Sequence, residues 1–336
     1  MELMTSMSCA ADRPINWNVL GLSAANRDHA LRQLRASDHA AARGGRVVAL
    51  TLPHGPRIRL SFLGGAPLDG LPGWREVLSL PVPERVRALS DPAVRARLAR
   101  GATSDEAGVL RGLANWPIMQ IVEAFTPETR AFVGHSIADI AEQQAKDPFD
   151  ALLDIAVADE LRTGFRPPQA PETPDDWAFR TEMWRDPRVI IGGSDAGAHL
   201  DMMCGAVYST SVLAGVRRGG LLALEEAVRL LSDVPARLYG LRDRGRIALG
   251  HHADLVVFDA ETVDYGTEST TFDLPGGAWR LTTDSVGVER VYVNGTAVVS
   301  AGEFTGATPG GLLRSGRDTR TVRASSAPRS VPGTVA

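Results

Sequence analysis

The chain has 336 residues, of which 44% are hydrophobic and 23% are charged, and its formal net charge is −4. These proportions are typical of a globular protein, and a weakly acidic chain is not expected to bind nucleic acid. No apolar run is long enough to span a membrane, and the first residues lack the basic and apolar regions of a secretory signal. The two cysteines, Cys9 and Cys204, are too few for a disulfide framework. We therefore expect a cytoplasmic protein with no membrane partner.

The N-terminal part of the chain predicts the beginning of a parallel sheet. Residues 15–20 and 46–52 are rich in apolar and β-branched residues, a composition that favours strands. The segment between them, residues 29–45, has the composition of a helix and ends at Gly44 and Gly45. A strand, a helix and a strand with short connections indicate a βαβ unit, whose two strands run parallel.

The central part of the chain predicts an irregular helical insertion followed by a third strand. Residues 63–113 are rich in proline, glycine and charged residues, and Trp74 is expected to pack this insertion onto the barrel. Residues 117–123 are typical of a strand. Two later helices are predicted from residues that favour helix N-termini, one starting after Ser136 and one after Asp147.

A fourth predicted strand leads into the stretch that is the clearest candidate for chemistry. Residues 189–193 begin with three β-branched residues, which favour a buried strand, and end with two glycines that permit a tight turn. Asp195 and His199 follow directly. In a parallel α/β barrel, residues that follow a strand face the mouth where active sites lie. Asp195 is therefore a candidate catalytic residue, with the alternative that it caps the next helix.

Three polar residues follow the second strand, at the end where barrel loops meet. Arg57 and Arg59 are candidates for substrate binding, because a guanidinium group binds a carboxylate through two parallel hydrogen bonds. The alternative is that they are ordinary surface arginines. His54 is a candidate for the same site, as a substrate-binding residue or a metal ligand, although isolated histidines usually bind no metal.

The C-terminal part of the chain predicts a separate β-unit. Residues 246–260 and 286–305 are expected to pair, because Asn294 and Gly295 lie between two β-rich arms, which is a strong hairpin signal. The residues from about 317 onward are rich in Ser, Pro, Arg and Gly, and we expect them to form a disordered tail.

Several motifs resemble one known family of enzymes. GGSDAGAHLDMMC at residues 192–204 resembles the last-strand motif of the amidohydrolase superfamily, specifically of its D-aminoacylase and N-acyl-D-amino-acid deacylase branch. The similarity continues in later segments and extends from about residue 10 to about residue 318; these segments are LEEAVRLLSDVPARLYGLRDRGRIALGHHADLVVFD, DLPGGAWRL, VYVNG and TGATPGGLLRSGR.

The resemblance implies a metal-dependent hydrolase that cleaves the amide C–N bond of an N-acyl-D-amino acid or a related small molecule. The cofactor would be a divalent metal, and zinc is the expected one. The resemblance further implies that Asp195 binds the metal and takes the proton of the attacking water. His199 would orient a ligand or contact the oxyanion, with the alternative that it packs within its loop. Lys146 is the one lysine of the chain, and we expect it to be solvated at a helix junction.

The fold class expected from these observations is α/β. Residues 1–245 would form the second half of a TIM-like (β/α)8 barrel of the amidohydrolase type. Residues 246–316 would form a small β-sandwich portion, and residues 317–336 would be the disordered tail. The barrel would be partial, because a closed barrel has eight strands and only four are predicted.

None of the four predicted barrel strands carries a His-x-His or His-x-Asp pair, which the resembled family carries on its first barrel strand. A catalytic metal needs about three protein ligands, and Asp195 supplies one. We therefore expect the chain to be an incomplete and inactive fragment. Two alternatives stay open: a degenerate, non-catalytic remnant, or a subunit of a split hydrolase that a partner chain completes. That partner would be a missing N-terminal half or another copy in a homo-oligomer.

Overall fold

The computed structural model describes residues 1–55, 57–169 and 171–325. The described α-helices are α1 (Glu2–Ala11), α2 (Arg27–Ala41), α3 (Arg75–Leu78), α4 (Val82–Ser90), α5 (Pro92–Thr103), α6 (Pro127–Arg130), α7 (Ile137–Gln144), α8 (Pro148–Ala158), α9 (Pro174–Arg185), α10 (Tyr208–Gly219), α11 (Leu224–Leu231) and α12 (Asp233–Leu238). The described strands are β1 (Pro14–Trp17), β2 (Arg46–Thr51), β3 (Gln120–Glu123), β4 (Gly164–Arg166), β5 (Val189–Ile191), β6 (Leu255–Phe258), β7 (Asp264–Tyr265), β8 (Ser269–Thr271), β9 (Arg280–Thr282), β10 (Ser285–Val286), β11 (Val288–Val293), β12 (Thr296–Ser300) and β13 (Glu303–Phe304).

Three of the four predicted barrel strands form one parallel sheet, in the order β1-β2-β5. Ile15 pairs with Val47 in the first ladder, and Leu50 pairs with Ile190 in the second. All three residues of β5 are buried, as the run of β-branched residues predicts. The carboxyl ends of the three strands therefore meet at one edge, which we call the carboxyl edge of the sheet.

The predicted strand at residues 117–123 is not part of this parallel sheet, which corrects the sequence expectation. Pro117 lies in a short 3₁₀ turn, and the strand β3 that follows pairs antiparallel with β4. The sequence analysis did not predict β4, a strand of three residues between Thr163 and two prolines. A strand this short has too few residues for a period-two pattern to be recognised. The sequence therefore predicted β3 but could not predict that β3 pairs with β4.

The described residues build two large hydrophobic cores and one small cluster of Val48, Ile190 and Leu238. One large core lies within residues 60–165 and contains a cluster of aromatic side chains on the helical insertion and α8. Trp74 is fully buried there, and its indole nitrogen donates a hydrogen bond to the carbonyl of Leu98 at 2.9 Å. It packs the insertion into this core and not onto the parallel sheet. The other core lies between the parallel sheet and the helices α2, α9, α10 and α11.

Both predicted helix N-termini are confirmed by their capping bonds. The hydroxyl oxygen of Ser136 accepts from the backbone N–H of Asp139, at 3.1 Å, at the start of α7. The carboxylate of Asp147 accepts from the N–H of Phe149, at 2.8 Å, at the start of α8. Lys146 lies at this junction and forms a partly exposed ion pair with a carboxylate of α8, as a solvated lysine does.

The predicted C-terminal β-unit is present. Residues 246–260 and 286–305 pair in a four-stranded sheet of order β13-β12-β11-β6. Asn294 and Gly295 form the predicted hairpin turn, and both have positive φ, 49° and 81°. Two further ladders, β7 with β10 and β8 with β9, extend from this unit.

The terminal segments differ from expectation. The helix α1 was not predicted; Ser8 fastens it to the sheet by accepting a hydrogen bond from the backbone N–H of Arg46 at 2.8 Å. Residues 317–325 belong to the predicted disordered tail, yet Arg320 donates a backbone hydrogen bond to Gly240 at 2.7 Å. The rest of that tail, residues 326–336, lies outside the described residues. Among the helices described, none has the length and apolar character needed to cross a membrane.

Candidate functional site

Asp195 lies at the carboxyl edge of the parallel sheet, as predicted. It follows β5, and its carboxylate oxygen Oδ1 accepts a hydrogen bond from the side-chain amide of Asn18 at 2.7 Å. Asn18 directly follows β1, so this bond spans the width of the sheet across the end of β2. The sequence analysis missed Asn18, although the same rule that selected Asp195, a polar residue just after a parallel strand, applies to it.

The turn between β5 and Asp195 depends on Gly193. Its φ is +69°, a conformation that residues with a side chain adopt only with strain. A Cβ atom at this position would lie 2.2 Å from the side-chain oxygen of Asn18 and 3.0 Å from Cβ of Leu50. The absence of a side chain at Gly193 therefore makes room for the Asn18 side chain that binds Asp195.

The alternative that Asp195 caps the next helix is wrong. The next α-helix, α10, begins only at Tyr208, and the intervening loop is exposed at residues 195–199 and partly buried after them. In this loop the backbone of Asp195 has a φ of 50°, and its carbonyl accepts from the N–H of Ala198 at 2.8 Å. Its side chain is thus exposed at the carboxyl edge and free of a capping role.

Replacing Gly193 by alanine is expected to displace Asn18 and break its bond to Asp195. The close contact adds to the strain of a positive φ, and together they should cost about 2–3 kcal/mol of local stability. Gly197→Ala is the matched control, because Gly197 has a φ of +95° but no atom within 4 Å of the added Cβ. Hydrogen exchange of residues 192–206 should rise clearly more for Gly193→Ala than for Gly197→Ala. Equal rises would contradict the proposed contact with Asn18.

A small pocket lies beside Asp195 at the same edge. Its walls come from the loops after β2 and β5 and from a distant segment near residue 268; the lining residues are Leu52, His54, Arg57, Ser194, Met203, Cys204, Gly205 and Glu268. Its volume is about 10 Å³, which is room for about one water molecule. The structure therefore brings two of the predicted substrate-binding residues, His54 and Arg57, next to the loop of Asp195.

His54 and Arg57 are held differently in this pocket. Nδ1 of His54 lies 2.8 Å from the carbonyl of Gly55, while its buried Nε2 has no hydrogen-bond partner among the described residues. Burial lowers the pKa of His54, and the nearby charge of Arg57 lowers it further. Nη2 of Arg57 donates to the hydroxyl of Tyr265 at 2.5 Å, and the guanidinium lies 5.0 Å from the centre of that ring.

Arg59 does not line the pocket, which separates it from the other two candidates. It is 4% exposed, forms an ion pair with Glu123 and donates to the hydroxyl of Thr270 at 2.7 Å. Burial lowers the pKa of Arg59, whereas the carboxylate of Glu123 raises it. Because its guanidinium binds protein groups in the interior, the geometry favours a structural role for Arg59 over the predicted substrate binding.

His199 is exposed in the loop after Asp195, which does not favour the alternative that it packs within the loop. Its backbone carbonyl accepts from the N–H groups of Met202 and Met203, both at 2.9 Å. The ring makes no hydrogen bond to the residues that the structure describes. Its role toward a ligand or oxyanion stays a prediction.

Glu268 is the second residue that the sequence analysis missed. It comes from the segment between β7 and β8, its side chain is 12% exposed, and it lies 3.8 Å from Arg166. Burial raises the pKa of Glu268, against the attraction of Arg57 and Arg166, which lowers it. No local pattern marks this glutamate, because only the path of the chain brings it to the pocket.

The described residues do not fit the divalent metal that the family resemblance implies. Nowhere in residues 1–55, 57–169 and 171–325 are three or more His, Cys, Asp or Glu side chains grouped so as to hold a metal ion. Asp195 has the amide nitrogen of Asn18 as its neighbour, which is a hydrogen-bond donor and not a ligand. The residues around Asp195 therefore supply one candidate ligand.

A parallel sheet with polar side chains gathered at its carboxyl edge is the arrangement of an α/β enzyme. The profile of the Amidohydrolase family matches residues 1–299, and the chain belongs to this family. It accordingly has an α/β amidohydrolase fold.

Within the family, the similarity is to the D-aminoacylase and N-acyl-D-amino-acid deacylase branch. An N-acyl-D-glutamate deacylase of Alcaligenes xylosoxydans xylosoxydans is 49% identical over 83 residues, which are 25% of this chain and 15% of that protein. An N-acyl-D-aspartate deacylase of the same organism is 41% identical over 102 residues, 30% of this chain and 18% of that protein.

The crystal structure of a D-aminoacylase superimposes with a TM-score of 0.46 at 23% identity, over 91% of this chain and 51% of that chain. The chain thus spans about half of that structure, and its matches cover less than a fifth of the two curated deacylases.

Proposed function

We propose that this chain belongs to a metal-dependent hydrolase that cleaves the amide bond of an N-acyl-D-amino acid. Membership of the amidohydrolase family and the named activities of the two deacylases support this proposal. The observation that carries it is the position of Asp195, exposed at the carboxyl edge of the parallel sheet and oriented by Asn18. A carboxylate in this position is suited to proton transfer at a substrate bound to the edge.

In this proposal Asp195 accepts a proton from the attacking water and delivers it to the leaving nitrogen. Asn18 binds one oxygen of the carboxylate and leaves the other available for that proton. Arg57 binds the carboxylate of the amino acid, since its guanidinium lines the pocket beside the Asp195 loop. His54 offers its unpartnered Nε2 to the same ligand.

The metal, for which zinc is the expected ion, needs ligands beyond Asp195. We propose that they come from outside the described residues, either from a further segment that completes the barrel and its β-sandwich or from a partner chain. The number of ligands around Asp195 favours this arrangement, because a catalytic site needs about three. The same shortage of ligands is consistent with a second candidate, a non-catalytic remnant of the family.

The test is hydrolysis of a panel of N-acetylated D-amino acids, with the L-enantiomers as controls, by the 336-residue chain and by a version extended with the rest of an amidohydrolase barrel. We expect chelator-sensitive turnover of the D-enantiomers by the extended version and little by the chain alone. Inactivity of both would support the remnant. Hydrolysis of another amide class alone would contradict the proposed substrate.

The 336-residue chain is expected to retain less than one zinc ion per molecule after gel filtration, because a single carboxylate holds a divalent ion weakly. Metal analysis of the eluted protein measures this. Asp195→Asn is the matched control and should change the retained zinc only slightly. One tightly held zinc per chain that Asp195→Asn removes would show that the site is complete within this chain.

A further inference from the structure

A hairpin reaches from the C-terminal β-unit to the candidate site. We call residues 264–286 the arm. At its base, Tyr265 pairs with Ser285 in the β7–β10 ladder, and further out β8 pairs with β9. The base is anchored by Asp264, which forms ion pairs with Arg217 and Arg218 of α10.

The arm occupies the proposed substrate-binding residue. The hydroxyl of Tyr265 accepts the hydrogen bond from Arg57 at 2.5 Å, and its ring lies under the guanidinium. Glu268 of the arm lines the pocket together with Ser194 of the loop that contains Asp195. With the arm in this position the pocket holds about one water molecule, which leaves no room for an N-acyl amino acid.

The arm also covers the loop that follows Asp195. The backbone N–H of Leu281 donates to the carbonyl of Leu200 at 2.8 Å. The thiol of Cys204 lines the pocket together with Glu268 of the arm. Its pKa is raised by burial and by the nearby carboxylate of Glu268, against the backbone of Thr283 in the arm, which lowers it. The thiol therefore lies beneath the arm, and its reactivity should rise when the arm opens.

The arm buries few apolar side chains. Among its residues only Leu281 belongs to the buried hydrophobic set, at 3% exposure. Thr270 is held by the carboxylate of Glu123, which accepts from its backbone N–H at 3.0 Å. A segment that buries little apolar surface opens at a lower free energy than the cores it rests on, because hydrophobic burial is the main cost of separation.

We propose that the arm is a strap that closes the pocket and occupies Arg57, and that it opens as a unit, without unfolding of either core, to admit the substrate. The identification of the pocket as a substrate site rests on the proposed function. The opening of the arm does not depend on the proposed function, so an experiment can reject either proposal without rejecting the other.

The test is the rate at which the thiol of Cys204 reacts with Ellman's reagent. A Cys9→Ser background removes the exposed second thiol. Tyr265→Phe keeps the ring under Arg57 but removes the hydroxyl, and we expect the reaction to become about tenfold faster, since hydrogen bonds to charged groups shift an equilibrium by about that factor. Tyr292→Phe is the matched control, because it removes a comparable hydroxyl that accepts from Arg290 in the four-stranded sheet.

Hydrogen exchange in the same variants separates opening from unfolding. Residues 264–286 and 192–206 should exchange faster in Tyr265→Phe, while residues of the two cores keep their rates. Glu268→Gln is a second variant that weakens the arm and should produce the same pattern. Unchanged thiol reactivity in both variants, or faster exchange throughout the chain, would contradict the proposal that the arm opens as a unit. Neither readout depends on hydrolysis.

Discussion

Replacement of Asp195 by asparagine is expected to reduce amide hydrolysis about a thousandfold in any form of the protein that turns over an N-acyl-D-amino acid. The reason is that an amide cannot take up the proton of the attacking water, and general acid–base catalysis contributes about 10²–10⁴ to a rate. The loss should appear in kcat, with a smaller change in KM, because in the proposed site Arg57 binds the substrate carboxylate and Asp195 serves to transfer the proton. Steady-state kinetics with N-acetyl-D-glutamate or N-acetyl-D-aspartate measure both constants.

The fold should tolerate this substitution. The side chain of Asp195 is exposed, and the carbonyl oxygen of an asparagine there can accept the same hydrogen bond from Asn18. Thermal unfolding of Asp195→Asn should therefore match that of Asp105→Asn, a control at a fully exposed aspartate on the helical insertion. Retention of kcat in Asp195→Asn would remove Asp195 from the catalytic role.

The largest loss of stability is expected at Asp159, which lies at the end of α8. Its carboxylate is fully buried and accepts from the N–H groups of Phe125 and Thr126, both at 2.9 Å. It also accepts from the hydroxyls of Thr129 at 3.1 Å and Thr163 at 2.9 Å. Asp159→Ala leaves these donors without a partner, and we expect the free energy of unfolding to fall by about 3–4 kcal/mol.

Urea denaturation followed by circular dichroism measures this difference. The matched control is Asp150→Ala on the same helix, where the side chain is 47% exposed and pairs with Arg95 at 3.2 Å. A partly exposed ion pair contributes little, so the control should lose at most about 1 kcal/mol. Equal losses in the two variants would mean that water replaces the carboxylate at position 159.

The hairpin turn of the C-terminal β-unit and the two helix starts show which features a short stretch of sequence specifies. The pair Asn294 and Gly295 predicts a two-residue turn because both residues adopt positive φ at little cost, and the structure has that turn. Ser136 and Asp147 predict helix starts because their side chains accept from N–H groups two or three residues away. Such features need no knowledge of the rest of the fold.

The pairing of β3 shows where local information ends. The strand was predicted, but its partner β4 lies about forty residues later and the two run antiparallel. The choice between this partner and the parallel sheet depends on how the intervening helices pack, and hydrophobic packing is not directional. The structural role of Arg59 could not be predicted for the same reason, because its partners Glu123 and Thr270 lie on other, distant elements of the chain.

The sequence by itself determined the family, the three parallel strands and the position of Asp195 at a strand end, because these follow from motifs and periodicity within short segments. Only the tertiary structure decided that Asn18 orients Asp195, that Glu268 walls the pocket and that Tyr265 covers Arg57. Each of these contacts joins segments far apart in the chain. The physical reason is that a hydrogen bond or charge contact depends on a distance of a few ångströms, which is fixed when the cores pack and not by residue type.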